Sequence, residues 1–211
     1  MKNLLLLSIS LPLLLGGCGE KPVADVKPVE EAPINSIKYK ITGDVVAITS
    51  CDKKASGTLT IPATIEGKTV TSIGKDAFGY CSLLTSITIP DSVTSIGAKA
   101  FLNCTSLTSI TIPDSVTSIG KQAFADCRGL KSITIPDRVS YIGSFAFAEC
   151  NSLRAVTFLG DAPKAGQRVF SLSPPIIYRN PEAKGWEETW DETVGDGTRD
   201  IPPVKLISEK P

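Results

Sequence analysis

Apolar positions recur along this chain with a single long period. Phe78, Phe101, Phe124 and Phe147 lie 23 residues apart, as do Cys81, Cys104, Cys127 and Cys150, and Leu84, Leu107, Leu130 and Leu153. The shared pattern is A-F-x-x-C-x-x-L-x-x-I-x-I-P-x-x-V-x-x-I-G, and residues 85–97 repeat without change at 108–120. A fixed period in the twenties predicts a solenoid, in which one coil of chain stacks on the next.

Spacing within a coil assigns each side chain a face. In 107–112, Ile110 and Ile112 share one side of a strand by period-two alternation, and Leu107 joins them at its entrance. Ser109 and Thr111 face solvent. Pro113-Asp114 turns the chain, with proline suited to the first central position of the turn. Val116 and Ile119 point inward from a second short extended segment, and Gly120 permits a turn that a side chain would resist. Residues 121–127 read as one short helical or 3-10 turn that drops Ala123, Phe124 and Cys127 into the core. A single coil cannot bury this face, but stacked coils can, with like residues laddered about 4.8 Å apart. Each fully buried side chain contributes about 1.5–3 kcal/mol. Conformational entropy cancels most of that sum, so stability rests on contact between coils.

The segments A-F-x-x-C, L-x-x-I-x-I-P and V-T-x-I-G resemble the BspA-type leucine-rich-repeat family over residues 39–178. The resemblance implies a leucine-rich-repeat β-solenoid of parallel strands with short helical or 3-10 turns, 23 residues per coil. It also implies a cell-surface or secreted protein. Several such proteins are implicated in binding host matrix proteins or in contact between microbes, and many have no assigned ligand.

The ends depart from the repeat. Residues 39–51 read as a hairpin-like cap around a Gly43-Asp44 turn, and 59–62 as a first, irregular repeat strand. An insertion at Glu66-Gly67-Lys68 leads on to Val70 and Ile73. Later, Leu159 stands where the repeat has proline, and Ser173 where it has cysteine, while Phe170 keeps the spacing. Residues 176–178 and 204–207 read as closing strands. Trp186 and Trp190 suit a sugar-stacking pair, but capping is the favoured reading, because an uncapped solenoid end exposes its core.

The first residues carry different information. A short basic start, an apolar run at 4–15 and Leu15-Gly16-Gly17-Cys18 are too short to span a bilayer but suit a signal peptide. The last four resemble the lipobox of bacterial lipoproteins. That resemblance implies a diacylglyceryl group on the Cys18 thiol, cleavage before it and acylation of the new N-terminus, which together anchor stably. Gly19 after the cysteine implies an outer-membrane or cell-surface destination. Prolines 22, 28 and 33 among charged residues make a semi-extended tether. The chain thus divides into a signal peptide (1–17), a lipidated cysteine and tether (18–37), a solenoid with its N-terminal cap (38–178), and a C-terminal cap and tail (179–211).

Charge and composition narrow the function. The 22 basic and 22 acidic residues balance, so no basic face for nucleic acid is expected. Histidine is absent, which removes His-based triads, Cys-His dyads and His-ligated metals. The cysteine column is linear and does not converge on a tetrahedral metal centre. An exported compartment and coil spacing leave disulfides open, and reduced thiols packed as small hydrophobes are the favoured reading. The state of Cys51, in the cap, is left open. Asp91, Asp114 and Asp137 each follow proline at a turn and lack the dense spacing of a calcium loop.

The best candidate binding face is the set of outward strand columns. These are Ser86, Ser109 and Ser132 beside Thr88, Thr111, Thr134 and Thr157, with Lys131 and Arg154 adding positive charge. The expected function is a membrane-anchored cell-surface module that binds a protein or glycan, acting as a monomer without cofactor and without catalysis. Two alternatives are a passive envelope lipoprotein and, from the S-x-T ladders, an ice- or surface-binding solenoid.

Overall fold

The computed structural model describes residues 32, 34–173, 175–186 and 204–209. Cys18, the signal peptide, most of the tether, Trp190 and the acidic stretch at 191–200 lie outside the described residues.

The chain enters through a 3-10 turn, Ile34–Ser36, and an antiparallel hairpin of β1 (Ile37–Thr42) and β2 (Val45–Cys51). Gly43 at its tip takes φ 60°, a conformation open to glycine at little cost. The hairpin packs Ile37, Val46 and Ile48 onto the apolar interior. Next come β3 (Gly57–Thr60), β4 (Thr64–Ile65) and β5 (Lys68–Ile73). Glu66 and Gly67 join the last two through positive φ, as a tight two-residue hairpin requires. Successive coils then place one longer and one shorter strand. These pairs are β6 (Leu84–Thr88) with β7 (Ser95–Ile96), β8 (Ser109–Thr111) with β9 (Ser118–Ile119), β10 (Ser132–Ile135) with β11 (Tyr141–Ile142), and β12 (Ala155–Phe158) with β13 (Lys164–Ala165). The solenoid closes on β14 (Ile176–Arg179) and β15 (Val204–Leu206), which pair in parallel.

Like residues stack on like. β6 meets β8 as Ser86–Ser109, Ile87–Ile110 and Thr88–Thr111, and β7 meets β9 as Ser95–Ser118 and Ile96–Ile119. Each pair is one repeat apart. The short strands continue from the cap as one sheet in the order β1-β2-β5-β7-β9-β11-β13, and β4 flanks β5. Between the strand walls the interior is one continuous apolar column. At its centre Phe78, Phe101, Phe124, Phe147 and Phe170 stack with ring centroids 5.1–5.6 Å apart and planes within 16°. Every Phe, Cys and Leu of the four-copy columns is buried.

The third wall differs from the expectation of a helical or 3-10 turn. Residues 121–127 form consecutive β-turns instead. Ala123, Ala125 and Cys127 donate their N–H groups three residues back, to Gly120, Gln122 and Phe124. The alternate residues Gln122, Phe124 and Asp126 donate to Ser144, Ala146 and Ala148 of the next coil at 2.8–3.0 Å. That alternation needs left-handed residues at Gln122 (φ 57°) and Asp126 (φ 63°). The conformational cost of about 1–2 kcal/mol at each is offset by a backbone bond between coils. The wall is therefore a row of turns laced together like a sheet.

The glycines that close each repeat also have a different cause from the one expected. Gly120 and Gly143 do not take positive φ. They sit where the backbone of the preceding coil passes: a Cβ on Gly143 would lie 2.7 Å from both Gly120 C and Lys121 Cα. Proline also shifts role. Val116 donates to Pro113 O at 3.0 Å, so proline occupies the first corner of the turn and Asp114 a central position. Where Leu159 replaces proline, its N–H donates to Ile135 O at 3.0 Å.

The cysteine column is bonded as well as packed. The thiols of Cys104, Cys127 and Cys150 donate to the carbonyls of Phe78, Phe101 and Phe124 in the preceding coil, each at 3.1 Å. Burial pushes the Cys104 and Cys150 thiols up to about 12 and that of Cys127 well above its usual range, so the S–H needed for this bond is retained. At the far end Trp186 is 7% exposed and meets Phe158 edge-on at 4.9 Å. Its ring packs against the core and is not displayed for a sugar.

Candidate functional site

The long strands make the wall that carries the candidate face. Period-two alternation turns Ile87, Ile110 and Ile133 into the core and sends the residues between them outward. Thr88, Ser109, Thr111, Lys131, Ser132, Thr134 and Arg154 are exposed, and Ser86 is half-buried. Neighbouring hydroxyls meet across coils: Ser109 Oγ donates to Ser86 Oγ at 3.4 Å, and Thr108 Oγ1 to Thr85 O at 3.1 Å.

Thr157 departs from the expected face. It is 6% exposed, so it is not part of a solvent-facing column. In register it lies between Thr134 and Tyr178, and Tyr178 is itself buried. The outward column changes there from small hydroxyls to a ring, and the open face stops one coil earlier than the pattern indicates.

The wall is not one sheet. β3, β6 and β8 form one ladder, and β10, β12, β14 and β15 form another. Among the described strands, β8 and β10 face each other without a ladder. A groove of about 330 Å³ opens at this seam. Ile110 and Ile133 supply its apolar floor, and Ser109, Thr111, Ser132 and Thr134 its polar margins. Leu159, 43% exposed, lines one end. Four of the expected face residues thus converge on one concavity, at the lower end of the roughly 300–1,000 Å³ range of ligand sites. The volume suits a single side chain or sugar ring. Strand-edge peptide groups beside it are uncommitted to a ladder and can serve a ligand.

Charge collects on the C-terminal side of the seam. Arg154 N–H donates to Lys131 O at 2.8 Å, which stacks these two exposed cations on adjacent coils. The Arg154 guanidinium also donates to Asn151 O at 2.9 Å, so it is held in place. Two exposed cations on adjacent coils favour an anionic group nearby. Among the described residues no group of three or more His, Cys, Asp or Glu side chains converges as metal ligands would.

The seam is what the repeat pattern does not reveal, because both strands beside it read Ser-Ile-Thr. Two local departures flank it. One is Leu159 in place of proline. The other is Gly129, where a Cβ would lie 2.8 Å from Thr105 O.

The architecture defines a leucine-rich-repeat solenoid. Residues 58–177 match the BspA type leucine rich repeat region in six copies, and the chain belongs to that family. A leucine-rich-repeat protein of T. pallidum is similar, with a TM-score of 0.64 and 30% identity over 71% of this chain and 71% of that one. A leucine-rich-repeat protein from Bacteroides ovatus gives a TM-score of 0.51 and 31% identity over 72% of this chain, which spans 50% of that longer one. The pneumococcal vaccine antigen PcpA shares the fold at 22% identity and a TM-score of 0.50, over 70% of this chain and 49% of its own. No curated protein matches the chain.

Proposed function

We propose that this protein is a lipid-anchored cell-surface binding module that takes a protein or glycan on its long-strand face. The observation that carries the reading is the seam groove, where Ser109, Thr111, Ser132 and Thr134 surround an apolar floor. Short hydroxyl side chains lose little rotamer freedom on binding, and a preformed groove limits the ordering cost further. Asp114 is the charged residue of the lining, while Lys131 and Arg154 are exposed outside it and favour acidic groups only on a ligand that extends beyond the groove. Family membership and the lipobox-like start support placement outside the cytoplasmic membrane, with Cys18 as the lipidated residue.

The test is a face substitution. Thr111→Lys with Thr134→Lys fills the groove mouth with two long side chains at exposed positions, so the melting temperature is expected to stay close to that of the unaltered protein. Cells displaying each full-length form are then assayed on immobilised matrix proteins and envelope glycans. Retention by the unaltered form at least roughly tenfold above the double variant is expected, equivalent to about 1.4 kcal/mol. Equal retention by the two forms would remove this face from the site, and retention by neither would remove the binding reading.

A further inference from the structure

The cysteine ladder changes character at its N-terminal end. In the regular coils each thiol donates to a phenylalanine carbonyl of the coil before it, Cys104 to Phe78 O and Cys127 to Phe101 O, each at 3.1 Å. Cys81 has no such arrangement, because the cap coil before it carries no phenylalanine. Cys51 and Asp52 stand at that level instead. The Cys81 and Cys51 thiols both point at one carbonyl, Asp52 O, at 3.8 and 3.6 Å. Each also shifts the other's titration, Cys51 downward and Cys81 upward. Two thiols that lack the ladder's bonds therefore meet across the junction between cap and solenoid.

We propose that Cys51 and Cys81 are a disulfide-forming pair that clips the cap to the first phenylalanine-bearing coil, while Cys104, Cys127 and Cys150 remain thiols. The chemistry is exchange with a disulfide R–S–S–R, either a small one such as oxidised glutathione or that of an exported thiol oxidase. The Cys51 thiolate attacks one sulfur of R–S–S–R, giving Cys51–S–S–R and releasing R–S⁻. The Cys81 thiolate then attacks the Cys51 sulfur and expels the second R–S⁻. Two electrons pass to the oxidant, and the two thiol protons leave as two R–SH.

The surroundings favour Cys51 as the attacking group. Its thiol is held below its usual range, first by the neighbouring Cys81 thiol and also by the nearby Lys53 ammonium. Lys53 is fixed there by donating to Gly79 O. The cover over Cys51 is slight: Ser36, from the entering 3-10 turn, bonds its thiol, and Asp52 N–H donates to Ser36 O at 2.8 Å. Local opening of that turn exposes Cys51 without unwinding a coil. The three ladder thiols lie deeper, are pushed up by burial and are tied to Phe carbonyls. Formation of the bond in the cell rests on the export reading, since the cytosol keeps thiols reduced.

The experiment takes the full chain, purified folded in detergent, and incubates it with excess oxidised glutathione. Remaining thiols are alkylated in denaturant, and the peptides are identified by mass spectrometry with and without reduction. A reducible link between the Cys51 and Cys81 peptides is expected, with alkylation at Cys104, Cys127 and Cys150. The linked form should melt roughly 10 °C higher than the reduced one, because the bond closes a loop of about thirty residues. Cys51→Ser should abolish the link, and Cys104→Ser should leave it intact. Alkylation of both Cys51 and Cys81, or a link from Cys81 to Cys104, would overturn the proposal. Protein taken directly from cells separates the two readings. A pair that links with glutathione but is found reduced in cells counts against export and leaves the pairing standing.

Discussion

Ile87→Asp is expected to unfold the first coils of the solenoid, whereas Thr88→Asp, one residue on, should melt almost as the unaltered protein does. Ile87 is 1% exposed and lies between Leu59 and Ile110 in the flanking coils. A carboxylate there has no cation within the apolar column and must be buried unpaired or expose the core. Leaving one buried charge without its partner costs about 3–5 kcal/mol. In a solenoid that loss is not confined to one coil, because each coil is stable only through its neighbours. Thr88 points to solvent from the same strand, where substitution stays within about 0.5 kcal/mol. Thermal melts followed by far-ultraviolet circular dichroism should therefore differ by roughly 10 °C or more. Coincident melts would mean that the strand faces are assigned the wrong way round.

Gly143→Val is expected to be nearly as damaging for a different reason. The added Cβ meets Lys121 N, Lys121 Cα and Gly120 C, all backbone atoms of the preceding coil. No side chain can rotate away, so the coils must separate. Separation would stretch the bond from Gly143 N to Ile119 O (2.8 Å), the bond from Phe124 N to Ala146 O (2.8 Å) and the 5.3 Å stack of Phe124 on Phe147. Overpacking of this kind costs about 1–3 kcal/mol or more. Denaturant unfolding should show a lower midpoint, with Gly143→Ala between the valine variant and the unaltered chain. An unchanged midpoint for valine would show that the coils do not approach closely at this point.

The strand walls and the core columns were legible because their causes are local and periodic. Alternation places Ile87, Ile110 and Ile133 inside whatever the neighbouring coil does, and the 23-residue period aligns each with its like. The turn wall was not legible in the same way. Ala-Phe-x-x-Cys has the spacing of one helical turn, and the bonds that decide against a helix run to the next coil, as from Phe124 to Ala146. The repeat glycines read as turn formers because a sequence does not display how closely two coils pass. The outward orientation of the hydroxyl columns was legible except at Thr157, where the column passes to a buried tyrosine. The seam between β8 and β10 escaped because identical Ser-Ile-Thr strands stand on both sides of it. Pairing of Cys51 with Cys81 likewise depends on what the cap lacks, a phenylalanine carbonyl at the right height, and no residue near Cys81 states it.

Photo-crosslinking on intact cells tests the binding face most directly. A photoreactive residue is placed singly at Thr111, at Thr134 and at Thr117, the last of which is exposed beside the short-strand sheet. One common adduct is expected from Thr111 and Thr134 and none from Thr117. An adduct from Thr117 alone, or from no position, would contradict the proposed face.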